Sequence, residues 1–365
     1  MEKKNKAAKD APKEKVPPSK LVAEFRRDMV SGDWVLVSSA RQSRPLFGAS
    51  AQKDGSAKIL LIKDCPFEDP QKSGNGDALF WLPRPSDGKK EDCEKFDNWF
   101  VQVIQNKYPA VFKNIIPEYE NYGPFKKQGG FGFHEVVVTR DHDRPIEKME
   151  IDEISLVFRA YQQRYRVLEK DERVDYILIY HNQGSLAGAS VMHPHSQIVA
   201  MPNIPPDISR SINGALLYYE KEKKCVHCVM LEFEMKEKTR VVFENECFIT
   251  IAPFASKVPY ELRIFPKQHA SDFEETPDNC LAHLSEALKD ALTRLSAVLG
   301  EHDYNFFIHT SSARVDSVPY YHWHIEIFPR TYKWAGLELG SGIEVLPIPP
   351  EQAAENLRNA FKKAK

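Results

Sequence analysis

Short apolar runs and one long amphipathic segment alternate along the chain. EVVVT at 135–139 and YILIY at 176–180 are β-branched or aromatic runs of strand length. Between them Ile154, Val157, Tyr161 and Leu168 recur at helical spacing and predict an amphipathic helix. A second helix is predicted over 277–299. Thr276 is placed to cap it and Pro277 suits its first turn. Leu281, Leu284, Leu288, Leu295 and Leu299 line one face, and Gly300 stops it. A last helix is predicted from near Pro350, carrying Ala354, Leu357 and Phe361. DWVLVSSARQSRP reads as a short strand entering a basic turn, and residues 51–98 as loop. FDNWFVQVIQNKYPAVF fits two templates: Phe96, Trp99, Phe100, Val103 and Ile104 form a helical stripe, whereas Val101 and Val103 alternate as a strand does.

The pattern then repeats. YILIYHNQGSLAGASVMHPHSQIVAMP has the layout of YNFFIHTSSARVDSVPYYHWHIEIFP: a strand ending in His181 or His309, a loop, then His-x-His opening another strand. Upstream, FHEVVVTRDH ends at His142 and PYELRIFPKQH at His269; the spacing to the next His-x-His is 51 residues in one copy and 53 in the other. Each copy also has an upstream cysteine motif, CPFE at 65–68 and CVHC at 225–228. These nodes predict duplication of one α+β unit, with halves at 21–205 and 206–365 after a Lys-rich tail over 1–20. GSLAG at 184–188 is not a dinucleotide fingerprint, and one helix per group of short strands excludes a strictly parallel sheet as first choice.

Composition narrows the class. Lys+Arg number 50 and Asp+Glu 52, a net charge of −2, so the chain has no global attraction to nucleic acid or anionic membrane. No run reaches the ~18–20 apolar residues of a membrane span, and the first twenty residues lack the apolar stretch of a secretory signal. Six cysteines in 365 residues, two of them at Cys225 and Cys228, point to metal ligation in a reducing, cytoplasmic setting rather than a secreted disulfide framework. Cys93, Cys247 and Cys280 read as packing or surface thiols, and His134, His227, His283 and His302 as bystanders.

The sharpest chemistry is His193-Pro194-His195-Ser196-Gln197. Residues two apart on an extended chain point to one side, so both imidazoles address one site. The preceding loop, Asn182-Gln183-Gly184 to Gly188-Ala189-Ser190, is small and polar and offers neutral donors. Neutral imidazole carries its own lone pair and attacks phosphorus without a separate base.

With these motifs the sequence resembles the galactose-1-phosphate uridylyltransferase family, a branch of the histidine-triad superfamily. The likeness runs from about Asp33 to the C-terminus through WVLVSSARQSRP, CPF, QNKYP, GFGFHEVVV, NQGSLAGAS, HPHSQ, the CxxC, HWH and GLELGSG. It implies an α+β, histidine-triad-like fold of two tandem halves, each an antiparallel sheet with a packed helix. By the same resemblance His195 matches the nucleophile that takes the nucleotide. Gln197 matches the donor to its phosphoryl oxygens, standing where histidine-triad hydrolases carry a third His. Asn182, Ser190 and Ser196 match the surrounding phosphate-binding segment, Asn106 a nucleoside contact, and Arg41 and Arg44 the basic turn that meets phosphate. Glu338 matches an acceptor of hexose hydroxyls. Without the resemblance Arg41, Arg44 and Glu338 read as surface charges; with it, the segment holding Asn106 reads as strand.

Two structural zinc sites follow. Cys225, Cys228, His269 and His322 form a closed Cys₂His₂ set, with His309 and His324 near enough to compete. In the first half the resemblance implies Cys65, residue 68, His142 and His193, but residue 68 is Glu68, a harder ligand than thiolate, so the expectation there is a site that binds zinc weakly or stays empty. The expected activity is a ping-pong nucleotidyl transfer with a nucleotide sugar and a sugar 1-phosphate as partners, foremost UDP-glucose:hexose-1-phosphate uridylyl transfer by a homodimer. The alternatives are an ADP-sugar or dinucleoside-polyphosphate phosphorylase, and a zinc-stabilised nucleotide-binding protein without turnover.

Overall fold

The structure, a computed structural model, describes residues 23–43, 62–84, 95–315 and 317–360. The tail, Arg44, Cys93 and Phe361 lie outside the described residues.

The first half contains β1 (Ala23–Arg27), β2 (Trp34–Ser38), β3 (Phe80–Pro83), β4 (Trp99–Gln105), β5 (Tyr119–Tyr122) and β6 (Phe125–Gln128). It continues with β7 (Phe133–Thr139), α1 (Ile151–Leu168), β8 (Tyr176–Gln183) and β9 (His195–Met201). Then follow α2 (Pro206–Glu222), α3 (Val226–Glu237), β10 (Val241–Glu244), β11 (Phe248–Ile251), β12 (Leu262–Pro266) and α4 (Asp278–Leu299). The described chain ends with β13 (Tyr304–His309), β14 (His324–Pro329), α5 (Gly336–Ser341), β15 (Glu344–Leu346) and α6 (Pro350–Ala360).

Ten strands form one antiparallel sheet in the order β10-β11-β12-β14-β13-β8-β9-β7-β4-β3. Outward from the β13–β8 junction each half runs through the same strands, and in chain order each is three strands, a helix, then two strands. The duplication is therefore visible as an approximate two-fold about that junction. α1 and α4 cover one face, with Ile177, Ile179, Ile198 and Ala200 from one half and Ile264, Ile308, Ile325 and Ile327 from the other in one core. Residues of opposite parity, including His195 and Gln197, face away from the helices.

The ambiguous segment 96–112 contributes strand β4, bonded on one side to β3 and on the other to β7. Six of its seven residues are buried, which is why no clean alternation marks it. α4 begins one residue later than expected: Pro277 is extended and occupies the N-cap position, and Thr276 is buried with its carbonyl accepting from Gln162 Nε2 at 2.9 Å. Cys247 and Cys280 correct their reading as thiols. They are joined as a disulfide, with Cα atoms 6.0 Å apart, linking the β10–β11 turn to the first turn of α4; a separation of 33 residues carries no sequence signal of it.

β1, β2 and β15 form a separate small sheet against the second half. Val35 and Val37 pack on Ala255 and Leu346, and Arg26 binds Glu351 at 2.9 Å and the Phe254 carbonyl at 3.1 Å. β5 and β6 stand apart as a hairpin. Among the described residues no helix is long and apolar enough to cross a membrane.

Candidate active site and metal-ligating clusters

β9 lies between β7 and β8, with Val138 opposite His195 and both Val136 and Tyr180 opposite Gln197. His195 is buried, and its Nδ1 lies 2.8 Å from the main-chain oxygen of His193. A carbonyl only accepts, so Nδ1 carries the proton and Nε2 keeps its lone pair. Burial pushes the His195 pKa below the usual range and favours that neutral form. The Phe67 ring sits against it, centroids 4.9 Å apart.

Gln197 is oriented by its neighbours. Its Oε1 accepts from Tyr180 Oη at 2.9 Å and from His134 Nε2 at 2.8 Å, with Asn106 Nδ2 at 3.5 Å. His134 Nδ1 accepts from the Ala110 amide at 3.1 Å, which puts its proton on Nε2. Ser196, expected among the substrate contacts, corrects that reading: it points into the core, where its hydroxyl meets Tyr161 Oη at 2.5 Å and His181 Nδ1 at 3.0 Å.

The loop after β8 is shaped by Gly184 and Gly188, at φ of 83° and 88°. Asn182 is held from the second half: Asn305 Nδ2 donates to its Oδ1 at 2.7 Å and to the Ala187 carbonyl at 2.8 Å. Ser190 is exposed at the far end of the loop. The structure thus brings Asn106, which follows β4, across the intervening β7 to Gln197, which shares a face of β9 with His195. Arg41 and Glu338 meet each other instead, at 3.9 Å, beside the second half. Among the described residues no hydrogen bond or ion pair joins either of them to His195, Gln197 or Asn182.

Two four-residue groups have ligand atoms within 4.8 Å of one another: Cys225, Cys228, His269 and His322, and Cys65, Glu68, His142 and His193. In the first, His269 Nε2 donates to the Val318 carbonyl at 3.2 Å and His322 Nε2 to that of Pro266 at 3.0 Å. Both Nδ1 atoms then present lone pairs to Cys228 Sγ, at 3.4 and 3.6 Å. In the second, His193 Nε2 donates to the Thr139 carbonyl at 2.6 Å and turns Nδ1 toward Cys65 Sγ at 3.6 Å and Glu68 Oε1 at 3.4 Å. His142 Nδ1 is 2.6 Å from the same carboxylate oxygen. Both donor sets fit tetrahedral zinc, and a glutamate keeps the formal charge of a second thiolate.

His309 and His324, expected to compete for the second site, gather with Glu326 in a third group. They adjoin a cavity of about 470 Å³ that His227, Arg263 and Trp334 also line. The paired registers make His324 the counterpart of His195 and Glu326 that of Gln197. Tyr180 and Glu326 carry no signal in the sequence, and His134, a bystander by sequence, contacts Gln197. Strand alternation puts His134, Val136 and Val138 on one face, but only the register reveals that this face meets Gln197.

A buried imidazole with Nε2 left free, an oriented amide and a small polar loop on a duplicated antiparallel sheet define a histidine-triad-type nucleotidyltransferase. The family described as galactose-1-phosphate uridyl transferase, N-terminal domain, matches residues 15–205, and the HIT domain matches 234–330. An ADP-glucose phosphorylase of Arabidopsis thaliana is 32% identical over 92% of this chain and 92% of its own. A galactose-1-phosphate uridylyltransferase of Thermotoga maritima is 30% identical over 92% of this chain and 98% of its own. The solved structure of the Arabidopsis thaliana ADP-glucose phosphorylase with bound ADP-glucose superposes with a TM-score of 0.75 at 31% identity, covering 92% of this chain and 99% of that one. The chain belongs to the galactose-1-phosphate uridylyltransferase family.

Proposed function

We propose that the protein moves a nucleoside monophosphate between phosphate acceptors through a covalent bond to His195, foremost as a UDP-glucose:hexose-1-phosphate uridylyltransferase. The observation that carries this reading is the His195 tautomer: Nδ1–H held by the His193 carbonyl at 2.8 Å, Nε2 unprotonated. Nε2 attacks the α-phosphorus, the bond from that phosphorus to the bridging oxygen breaks, and hexose 1-phosphate leaves with the electron pair. The ring becomes a nucleotidyl-imidazolium whose Nδ1–H stays where it was, so no proton moves. A phosphate oxygen of the acceptor then displaces His195. The Gln197 amide donates to the phosphoryl oxygens in both steps. In this reading Asn106 contacts the nucleoside, Asn182 and Ser190 the phosphates, and Ser196 supports the strand from behind. Zinc at the two four-residue groups is structural and holds the chain around His193 and His322. We read 21–205 as the catalytic half and 206–365 as its zinc-bearing partner, in a cytoplasmic setting.

The active unit in this reading is a homodimer in which Arg41, Arg44 and Glu338 serve the His195 of a second copy. The seat of Arg41 and Glu338 beside the second half supports it, as do Tyr108, Ile116, Tyr119, Tyr122 and Phe125, exposed large side chains on and around the β5–β6 hairpin. A second reading, ADP-glucose phosphorolysis with inorganic phosphate as acceptor, is favoured by the 32% identity to an ADP-glucose phosphorylase.

Intact-protein mass after incubation with UDP-glucose or ADP-glucose tests both. A uridylyl adduct absent from His195→Ala and released by hexose 1-phosphate supports the first, and an adenylyl adduct released by phosphate the second. No adduct with either donor leaves a nucleotide-binding protein without turnover and ends the covalent reading.

A further inference from the structure

A glutamine amide is nearly symmetric in shape and opposite in chemistry at its two ends. Facing a phosphoryl group, its N–H₂ donates, whereas its oxygen, after a half-turn of the amide, repels. Something must choose between the two, and the surroundings of Gln197 contain the means. The Ala110 amide occupies Nδ1 of His134 at 3.1 Å, so Nε2 holds the proton; it lies 2.8 Å from Gln197 Oε1 and 3.0 Å from Asn106 Nδ2, a further donor 3.5 Å from the same oxygen. A turned amide would set N–H against N–H there. The Tyr180 hydroxyl adds another donor at 2.9 Å, from the residue registered opposite Gln197 on β8. Among the described residues Gln197 Nε2 has no hydrogen-bond partner, so the donor end is left for a ligand.

The duplicated half supplies an internal comparison. The counterpart of the Tyr180–Gln197 pair is Phe307 opposite Glu326. There the acceptor is a carboxylate, whose two oxygens need no orientation, and the facing ring carries no hydroxyl. The phenol occurs where an amide must be aimed and is missing where nothing has to be.

We propose that Tyr180 and His134 are positioning residues that fix the Gln197 amide with its N–H₂ toward a non-bridging oxygen of the phosphoryl group on His195. This rests on the covalent reading above and adds to it a stereochemical determinant. Because the amide addresses one of the two non-bridging oxygens, the wild-type protein discriminates between the two diastereomers of the α-thio form of whichever donor labels His195, sulfur being a poor acceptor for N–H.

The test is the single-turnover labelling rate of His195 with each diastereomer, alongside KM and thermal midpoint. Tyr180→Phe removes one donor and keeps the ring; it lowers labelling by about three- to tenfold and reduces the diastereomer ratio by a similar factor, with KM changed less than about twofold. His134→Phe lowers the ratio further, and His134→Gln, which can still donate, restores part of it. If both phenylalanine variants keep the wild-type ratio, whatever their midpoints, the proposal is overturned. If Gln197→Ala also keeps it while the adduct still forms, the covalent reading survives and the aiming does not. If no adduct forms in the wild-type protein, the reading beneath the proposal has failed instead.

Discussion

His193 and His195 are coupled through the main chain: the carbonyl of His193 accepts the Nδ1 proton of His195 at 2.8 Å, while the ring of His193 turns its own Nδ1 toward Cys65 and Glu68. The residue that orients the proposed nucleophile also belongs to a four-residue group whose donors fit a metal ion. Whatever anchors the His193 ring therefore anchors the His195 tautomer.

Metal removal tests that coupling. The Cys65–Glu68 group has one thiolate and the Cys225–Cys228 group two, so a chelator is expected to remove zinc from the first group faster. Metal content followed over time gives two phases, and Glu68→Cys slows the faster one. The labelling rate of His195 falls in step with the fast phase. Equal phases, or labelling that follows the slow phase, would contradict the coupling.

Gly184→Ala is expected to damage the loop after β8. Gly184 has φ of 83°, and a Cβ there would lie 2.1 Å from Asp303 Oδ1. The same carboxylate accepts from the Leu186 amide at 2.6 Å, so it cannot swing away without losing that bond. The strain costs about 1–3 kcal/mol, measurable by urea unfolding. Labelling falls on the order of 10–100-fold if the loop carries the phosphate contacts, because a misplaced phosphate loses the in-line geometry.

His181 gives stability a pH dependence. It is fully buried, stacked on Phe306 with centroids 5.1 Å apart, and burial pushes its pKa down from 6.5 to about 3. The unfolded chain takes up this proton first, so the stability it confers is complete above pH 6.5 and is lost as pH falls from 6.5 toward 3. The loss is about 1.4 kcal/mol per pH unit in that window. Urea unfolding at pH 7.5 and 5.5 should show wild type losing about 1.4 kcal/mol more between the two than His181→Gln. Equal losses would mean that His181 is not held neutral in the fold.

What could be read in advance follows from which physics is local. Helical spacing at Ile154, Val157 and Tyr161 and strand runs at 135–139 and 176–180 are local, and they agree with α1, β7 and β8. The His-x-His repeat carried the duplication because residues two apart on a strand share a face. The segment now β4 resisted because strands bonded on both sides and buried on both faces lose their alternation. Tyr180 and His134 resisted for another reason: their meeting with Gln197 depends on register between strands distant in sequence. Cys247 and Cys280 met through the docking of α4 on a turn, which no spacing encodes.

Arg41 and Glu338 define the last expectation. Glu338 is buried in the first turn of α5, with Oε2 bonded to the Ala335 amide at 3.0 Å and Oε1 3.9 Å from Arg41 Nη1. Arg41 follows β2, and β2 and β15 share a sheet seated on the second half. His195 lies on β9, in the first half, and nothing among the described residues links it to that pair. If a hexose phosphate must touch both, the sites are completed across a two-fold dimer, each His195 receiving Arg41 and Glu338 from the other copy. Mixing His195→Ala with Glu338→Ala chains under conditions that exchange subunits then restores activity. Random pairing makes half the dimers mixed, each with one intact site, so recovery approaches about a quarter of the wild-type rate. Were the residues used within one chain, every site in the mixture would remain defective and no activity would return.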